Sequence, residues 1–294
     1  MVKKILITML FSLLFGTGYS QKMNVAKLDS LFQILEAKDK FMGSIAVSQN
    51  GTLIYSKSIG KVDIETNKKA TNLSKYRIGS ISKMFTSALI FKAVEEKKIA
   101  LNQTIEIYFP TIENATKITI GNLLNHRSGI HNFTNNPDYL KYNTEPKSEQ
   151  QMIEIIAKGK SDFEPNSKAD YSNSNYVLLS YILQKAYKKP YAAILKDKIT
   201  KPLGLKNTYV GDKISVQNNE SNSYKFSEKW IKETETDMSI PMGAGSIVSN
   251  PTDLTIFIDH LFANKIINEI SLKQMITLQD NYGMGIFQIP FHDK

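Results

Sequence analysis

The chain has 294 residues, with 37 lysines and arginines against 28 aspartates and glutamates, a formal charge of +9. Basic residues are interleaved with acidic ones, and no basic block carries the aromatics of a nucleic-acid groove, which argues against a nucleic-acid partner. There is no cysteine, so disulfides and lipid attachment through a thiol are excluded.

The first residues, Met1-Val2-Lys3-Lys4, precede an apolar run at 5–15 and a small-residue exit at 16–20. That is the pattern of a secretory signal peptide, with cleavage expected after Ser20, and the run is too short to span a bilayer. No later stretch is apolar enough for a membrane helix, so the expected product is exported, periplasmic or secreted. Loss of Lys3 and Lys4 lowers its charge to +7. Its remaining length suits one large domain or two lobes sharing a core.

Residues 24–39 read as an amphipathic helix with Val25, Leu28, Leu31, Phe32 and Leu35 on one face. Next come two β-rich runs, 43–48 and 52–55, joined by Asn50-Gly51, a strong hairpin signal because both residues accept positive φ. A polar loop at 66–75 leads to Gly79-Ser80-Ile81-Ser82-Lys83-Met84-Phe85, the head of a helix expected to run to about Lys98. From Leu101 to about Asp237 the chain reads as short helices between polar loops: 118–126, 149–158, 175–188 and 191–199. Helices are expected again at 251–263 and 271–278, and a strand at 282–287. The pattern implies a mixed α/β layer formed by 21–100 and 241–294, flanked by helices and interrupted by an all-helical lobe over 101–240, with a cleft between them.

Chemistry concentrates at Ser80 and Lys83. Residues three apart on a helix are neighbours, so the Lys83 amine can reach the Ser80 hydroxyl. The unpaired N–H groups and dipole of the helix start favour an alkoxide and disfavour an ammonium, pushing Lys83 toward the neutral amine a base must be. The chain holds one other Ser-x-x-Lys, at Ser58 and Lys61, and it serves as a control. It lies on a strand-like stretch, where residues three apart point to opposite faces and cannot meet. Tyr171-x-Asn173 occurs once, in a polar run that by itself would only cap the helix that follows. There is no Gly-x-Ser-x-Gly, so a nucleophile elbow is unsupported. His126, His131, His260 and His292 lack a metal-ligand spacing and read as loop and surface residues, so no metal is expected.

Ser80-x-x-Lys83 followed by Tyr171-x-Asn173 resembles the penicillin-recognising serine hydrolases: class C β-lactamases, D-Ala-D-Ala carboxypeptidases and related esterases. Leu124-Asn125-His126-Arg127-Ser128-Gly129, Pro202-Leu203-Gly204-Leu205, Gly245-Ser246-Ile247 and Tyr282-Gly283-Met284-Gly285 are similar to that family too. The resemblance spans about 41–287 and implies a β-lactamase/transpeptidase-like fold. It implies a serine hydrolase that works through a Ser80 acyl-enzyme on an amide or ester, with Lys83 and Tyr171 catalytic and Asn173 binding substrate. No cofactor is implied, and the partner is a small-molecule or peptide substrate. A non-catalytic binding or sensor protein on the same fold is the alternative. The family's third motif, Lys-Thr-Gly or His-x-Gly, has no match. It is expected beyond Lys294, with the remaining sheet strands and the second oxyanion donor, so the 294 residues are expected to be a fragment of impaired activity.

Overall fold

The computed structural model describes residues 23–289; the expected signal peptide and His292 lie outside them. Helix α1 (Val25–Ala37) starts where the Asn24 side chain accepts the Lys27 N–H at 3.0 Å. Of the predicted apolar face, Phe32 is buried and Leu28 and Leu35 pack beside it, whereas Val25 and Leu31 remain exposed. They cover an antiparallel hairpin, β1 (Gly43–Gln49) and β2 (Thr52–Ile59), through Tyr55 and Ile59. Asn50 and Gly51 take φ of 52° and 75°, the two positive values a tight hairpin turn demands. A second, minimal hairpin, β3 (Lys61–Asp63) with β4 (Lys68–Lys69), reaches into the stretch read as loop.

Strand β5 (Tyr76–Arg77) leads through a 3₁₀ turn at Gly79–Ile81 into α2 (Ser82–Glu95). The apolar spacing predicts one buried face for this helix, but it is buried nearly all round. Phe85, Ala88 and Leu89 lie in the main core as expected, while Ile81 is exposed, and Ser82, Lys83, Thr86 and Ser87 are buried on the opposite side. Helices α3 (Ile120–Leu124), α4 (Tyr139–Tyr142), α5 (Glu149–Ala157), α6 (Asn173–Tyr187) and α7 (Tyr191–Leu195) follow, the last running on as a π turn, Lys196–Thr200. Capping boxes at Thr119 and Ser148 start α3 and α5.

The segment 101–240 is not all-helical. It also holds β6 (Tyr209–Val210) and a hairpin of β7 (Tyr224–Ser227) with β8 (Lys229–Lys232). Strands of two to four residues inside Asn-, Ser- and Lys-rich loops are too short to show a two-residue period. After α8 (Met242–Gly245), strand β9 (Ile247–Ser249) pairs antiparallel with both β5 and β6 in a three-stranded sheet. Helices α9 (Pro251–Phe262) and α10 (Glu269–Ile276) complete the described order. The strand expected at 282–287 is instead a tight turn tied to α10 and to itself, with Met284 N–H on the Met275 carbonyl at 2.8 Å and Gly283 N–H on Ile286 at 2.9 Å. Among the described residues no helix is long and apolar enough to cross a membrane.

One main core joins α2, α3, α6, α7, α9 and α10, so the two expected lobes share their apolar interior. Phe85 of α2 stacks on Phe257 of α9 with ring centroids 3.7 Å apart, both fully buried. Phe257→Ala should therefore cost about 3–5 kcal/mol of stability by denaturant unfolding. A loss below about 1 kcal/mol would mean that α9 does not hold α2 in place.

Candidate active site

Strand β5 is pinned in the sheet by its pairs Tyr76–Ser249 and Arg77–Val248, and the Ile78 N–H continues onto the Ile247 carbonyl at 3.0 Å. The chain then turns at Gly79, whose φ of 52° suits glycine, and presents Ser80 on an exposed corner at the head of α2. Three residues on, Lys83 is 3% exposed. Its Nζ lies 3.1 Å from Ser80 Oγ, 2.8 Å from Asn173 Oδ1 and 2.9 Å from the Ala244 carbonyl. Burial draws its pKa down from the ordinary lysine range to about 7. A neutral amine has two N–H groups and one lone pair. With the two N–H groups on the oxygens of Asn173 and Ala244, the lone pair is left facing the Ser80 hydroxyl, the geometry of a general base.

Tyr171 Oη is 2.6 Å from Ser80 Oγ on the other side. Burial raises its pKa, more than the Ser80 hydrogen bond lowers it, so the phenol keeps its proton at neutral pH. Lys83 Nζ also sits 4.8 Å from the Tyr171 ring centre. Asn173 is the first residue of α6 and uses its amide within the protein. Oδ1 takes Lys83, Nδ2 donates to Thr134 Oγ1 at 3.2 Å, and its backbone N–H is capped by Asn132 Oδ1 at 3.0 Å. The local capping expected of Ser172 is not made, since its buried Oγ has no hydrogen-bond partner among the described residues. Ser58, the control, bonds to Ser44 and Asn72.

His126 is a correction to the reading of the histidines, because it is buried at 3% exposure. Its carbonyl accepts the Asp170 N–H at 2.9 Å and its Nδ1 accepts the Ser172 N–H at 3.2 Å, so it holds the residues on both sides of Tyr171. Its ring lies against Tyr171 and Tyr176 at 4.7 and 5.2 Å. Burial first, and the positive charge of Lys83 second, depress its pKa to about 3, so it serves as a neutral acceptor. Sequence spacing could not reveal this, since the arrangement depends on a φ of 60° at His126 and on contacts some fifty residues away. The Ala244 carbonyl was equally invisible, because a backbone oxygen has no sequence signature. It reaches Lys83 because Gly243 lets α8 lie against α2 and α6. A Cβ there would stand 2.7 Å from the Tyr176 carbonyl and 3.0 Å from Thr86 Oγ1. Gly285 allows a similar close approach of the 282–287 turn, where a Cβ would meet Ser87 Oγ at 2.3 Å.

Ser80 and Asn173 open onto a cleft of about 290 Å³ whose far wall is the end of β8 and the segment 233–238. Arg77 fastens that wall: its guanidinium donates to the Thr236 carbonyl at 2.6 Å and the Asp212 carbonyl at 2.8 Å, and it pairs with Glu235.

The folded protein releases the Lys83 proton near pH 7, whereas the unfolded chain holds it to about 10.4, so between those values the unfolded state binds more protons. Stability should rise as pH increases from about 7 to 10, and Lys83→Met should remove that rise; unfolding curves across this range are the measurement. His126→Leu leaves the Ser172 N–H without its acceptor and should cost about 1–3 kcal/mol by denaturant unfolding, with His126→Asn milder because Asn keeps an acceptor and tolerates positive φ.

The family model described as Beta-lactamase matches residues 29–290. A teichoic acid D-alanine hydrolase of Staphylococcus aureus (strain MRSA252) is 30% identical over 258 residues, covering 85% of this chain and 63% of that protein. The chain thus spans less than two thirds of the curated relatives it matches. Among solved structures, D-amino acid amidase from Ochrobactrum anthropi SV3 superposes with a TM-score of 0.79 at 25% identity, over 90% of this chain and 81% of that one. A D-stereospecific amidohydrolase from Streptomyces sp. gives 0.74 at 26% identity, over 86% and 80%.

Proposed function

The chain belongs to the Beta-lactamase family, the penicillin-recognising serine hydrolases, and from that premise we propose that it cleaves an amide or ester through an acyl-enzyme on Ser80. The observation that carries this reading is the placement of Ser80 Oγ between a protonated phenol at 2.6 Å and a buried amine at 3.1 Å. In acylation, Ser80 Oγ bonds to the substrate carbonyl carbon as its proton passes to Lys83. The backbone N–H of Ser80 is our proposed donor to the developing oxyanion. Tyr171 then gives its proton to the leaving nitrogen or oxygen as that bond breaks, and the Lys83 ammonium reprotonates Tyr171. In deacylation water attacks the acyl carbonyl as Tyr171 or Lys83 takes its proton, and a proton returns to Ser80 Oγ as the ester bond breaks. Asn173 orients the amine and borders the substrate space. Relatives named for D-alanine and D-amino acid amides support a small D-configured acyl group as the substrate class. Export through the 1–20 segment is part of the proposal. A non-catalytic binding protein is the weaker reading, because Ser80, Lys83, Tyr171 and Asn173 are all in place.

Intact-mass detection with an activated p-nitrophenyl ester tests the reading. One acyl group should attach to the wild-type protein and none to Ser80→Ala, and the acylation rate should climb with pH through about 7 as Lys83 becomes neutral. Lys83→Arg cannot deprotonate and should acylate at least ~10²-fold more slowly. Labelling of Ser80→Ala, or a near-normal rate for Lys83→Arg, would refute the assignment.

A further inference from the structure

The charged side chains that line the Ser80 cleft are Arg77, Lys232, Glu233 and Glu235. Three of them are neutralised within the protein. Arg77 pairs with Glu235, whose Oε1 also accepts the Ile214 N–H at 2.5 Å, and Lys232 pairs with Glu65 at 3.2 Å. Glu233 has no ionic or side-chain hydrogen-bond partner among the described residues, although its backbone is fixed by its N–H on the Ser223 carbonyl at 2.9 Å. The position is therefore set by the hairpin, while the residue is exposed and lines the cleft. An unmatched negative charge on the wall of the cleft that faces the nucleophile attracts a cationic acyl donor and repels one that carries a carboxylate in the same place.

We propose that Glu233 is the counter-ion for a primary ammonium on the substrate, so that the cleft selects aminoacyl amides or esters with a free amino group over N-blocked or carboxylate-bearing donors. This deepens the hydrolase reading and rests on Ser80 being the nucleophile that the cleft serves. Glu233 is a specificity determinant and takes no part in bond making. The ammonium hydrogen-bonds to the carboxylate on its wall of the cleft while the acyl carbonyl meets Ser80 at the turn before α2.

The Ser80→Ala protein separates binding from turnover. Calorimetry with D-alaninamide, whose ammonium is free, and N-acetyl-D-alaninamide, which is neutral, gives the affinity ratio directly. We expect the free-ammonium amide to bind about 3- to 10-fold more tightly at low salt, with the preference shrinking as ionic strength rises. Adding Glu233→Gln should bring the ratio close to one, and Glu233→Lys should invert it; both are exposed substitutions that leave the core untouched. Equal affinity for the two amides, failure of D-alaninamide to bind, or a preference that survives Glu233→Gln overturns the proposal. If the ratio behaves as expected while the wild-type protein shows no acylation of Ser80, the ammonium subsite stands and the hydrolase reading falls.

Discussion

The placement of one amine organises the whole arrangement. Lys83 lies on a helix buried on nearly every side, and taking an ammonium out of water there costs enough to bring its proton affinity near neutrality. Three oxygens surround it, which favours the charged form, but burial outweighs them. The amine can therefore stay buried in either protonation state and exchange its proton with the hydroxyl beside it. That balance depends on dryness around the amine, and dryness depends on packing of α2 against α6 and α8.

The polar residues of α2 make sense in this light. A helix with no solvent face must satisfy each buried hydroxyl internally, since one left unpaired costs about 1–3 kcal/mol. Thr86 donates to the Gly243 carbonyl at 2.7 Å and accepts from Tyr191 Oη at 2.6 Å, and Ser82 Oγ accepts the Ile247 N–H at 3.1 Å. These bonds hold α8, α7 and β9 to the helix that carries Lys83 and follows directly on Ser80. The glycine at 243 belongs to the same design, because any side chain there would push the Ala244 carbonyl away from the amine.

The cleft wall is built from different material. The β7–β8 hairpin and the segment after it carry polar and charged residues, tied to the nucleophile strand by the Arg77 guanidinium. The reacting groups thus stand at the starts of α2 and α6, with Lys83 inside the shared core, whereas the far wall of the cleft is made of short strands at the rim. Such a division lets the rim vary without disturbing the buried amine, and fits a family whose named relatives differ in what they act on.

Much of this was legible in the residues. The Asn50-Gly51 turn, the helices within 24–39 and 149–158, and the meeting of Ser80 with Lys83 follow from local rules, in which φ preference, apolar periodicity and helical spacing act over a few residues. The coupling of Ser80 to Tyr171 across ninety-one positions came from motif order and family resemblance. Other features were decided only by the tertiary structure. The spacing in α2 marks one apolar face, and only the arrival of α6 and α8 on the other side makes it a buried helix with a dry lysine. The cap on α6 comes from Asn132 in another segment, and the orientation of Tyr171 comes from both ends of His126. Strands β5, β6 and β9 are two or three residues long, too short for a periodic signal, and exist because they find each other. The physical reason is common to all of these. Local preferences are written in neighbouring residues, whereas burial, and the proton affinities and hydrogen bonds that follow from it, belong to no residue until distant segments close over it.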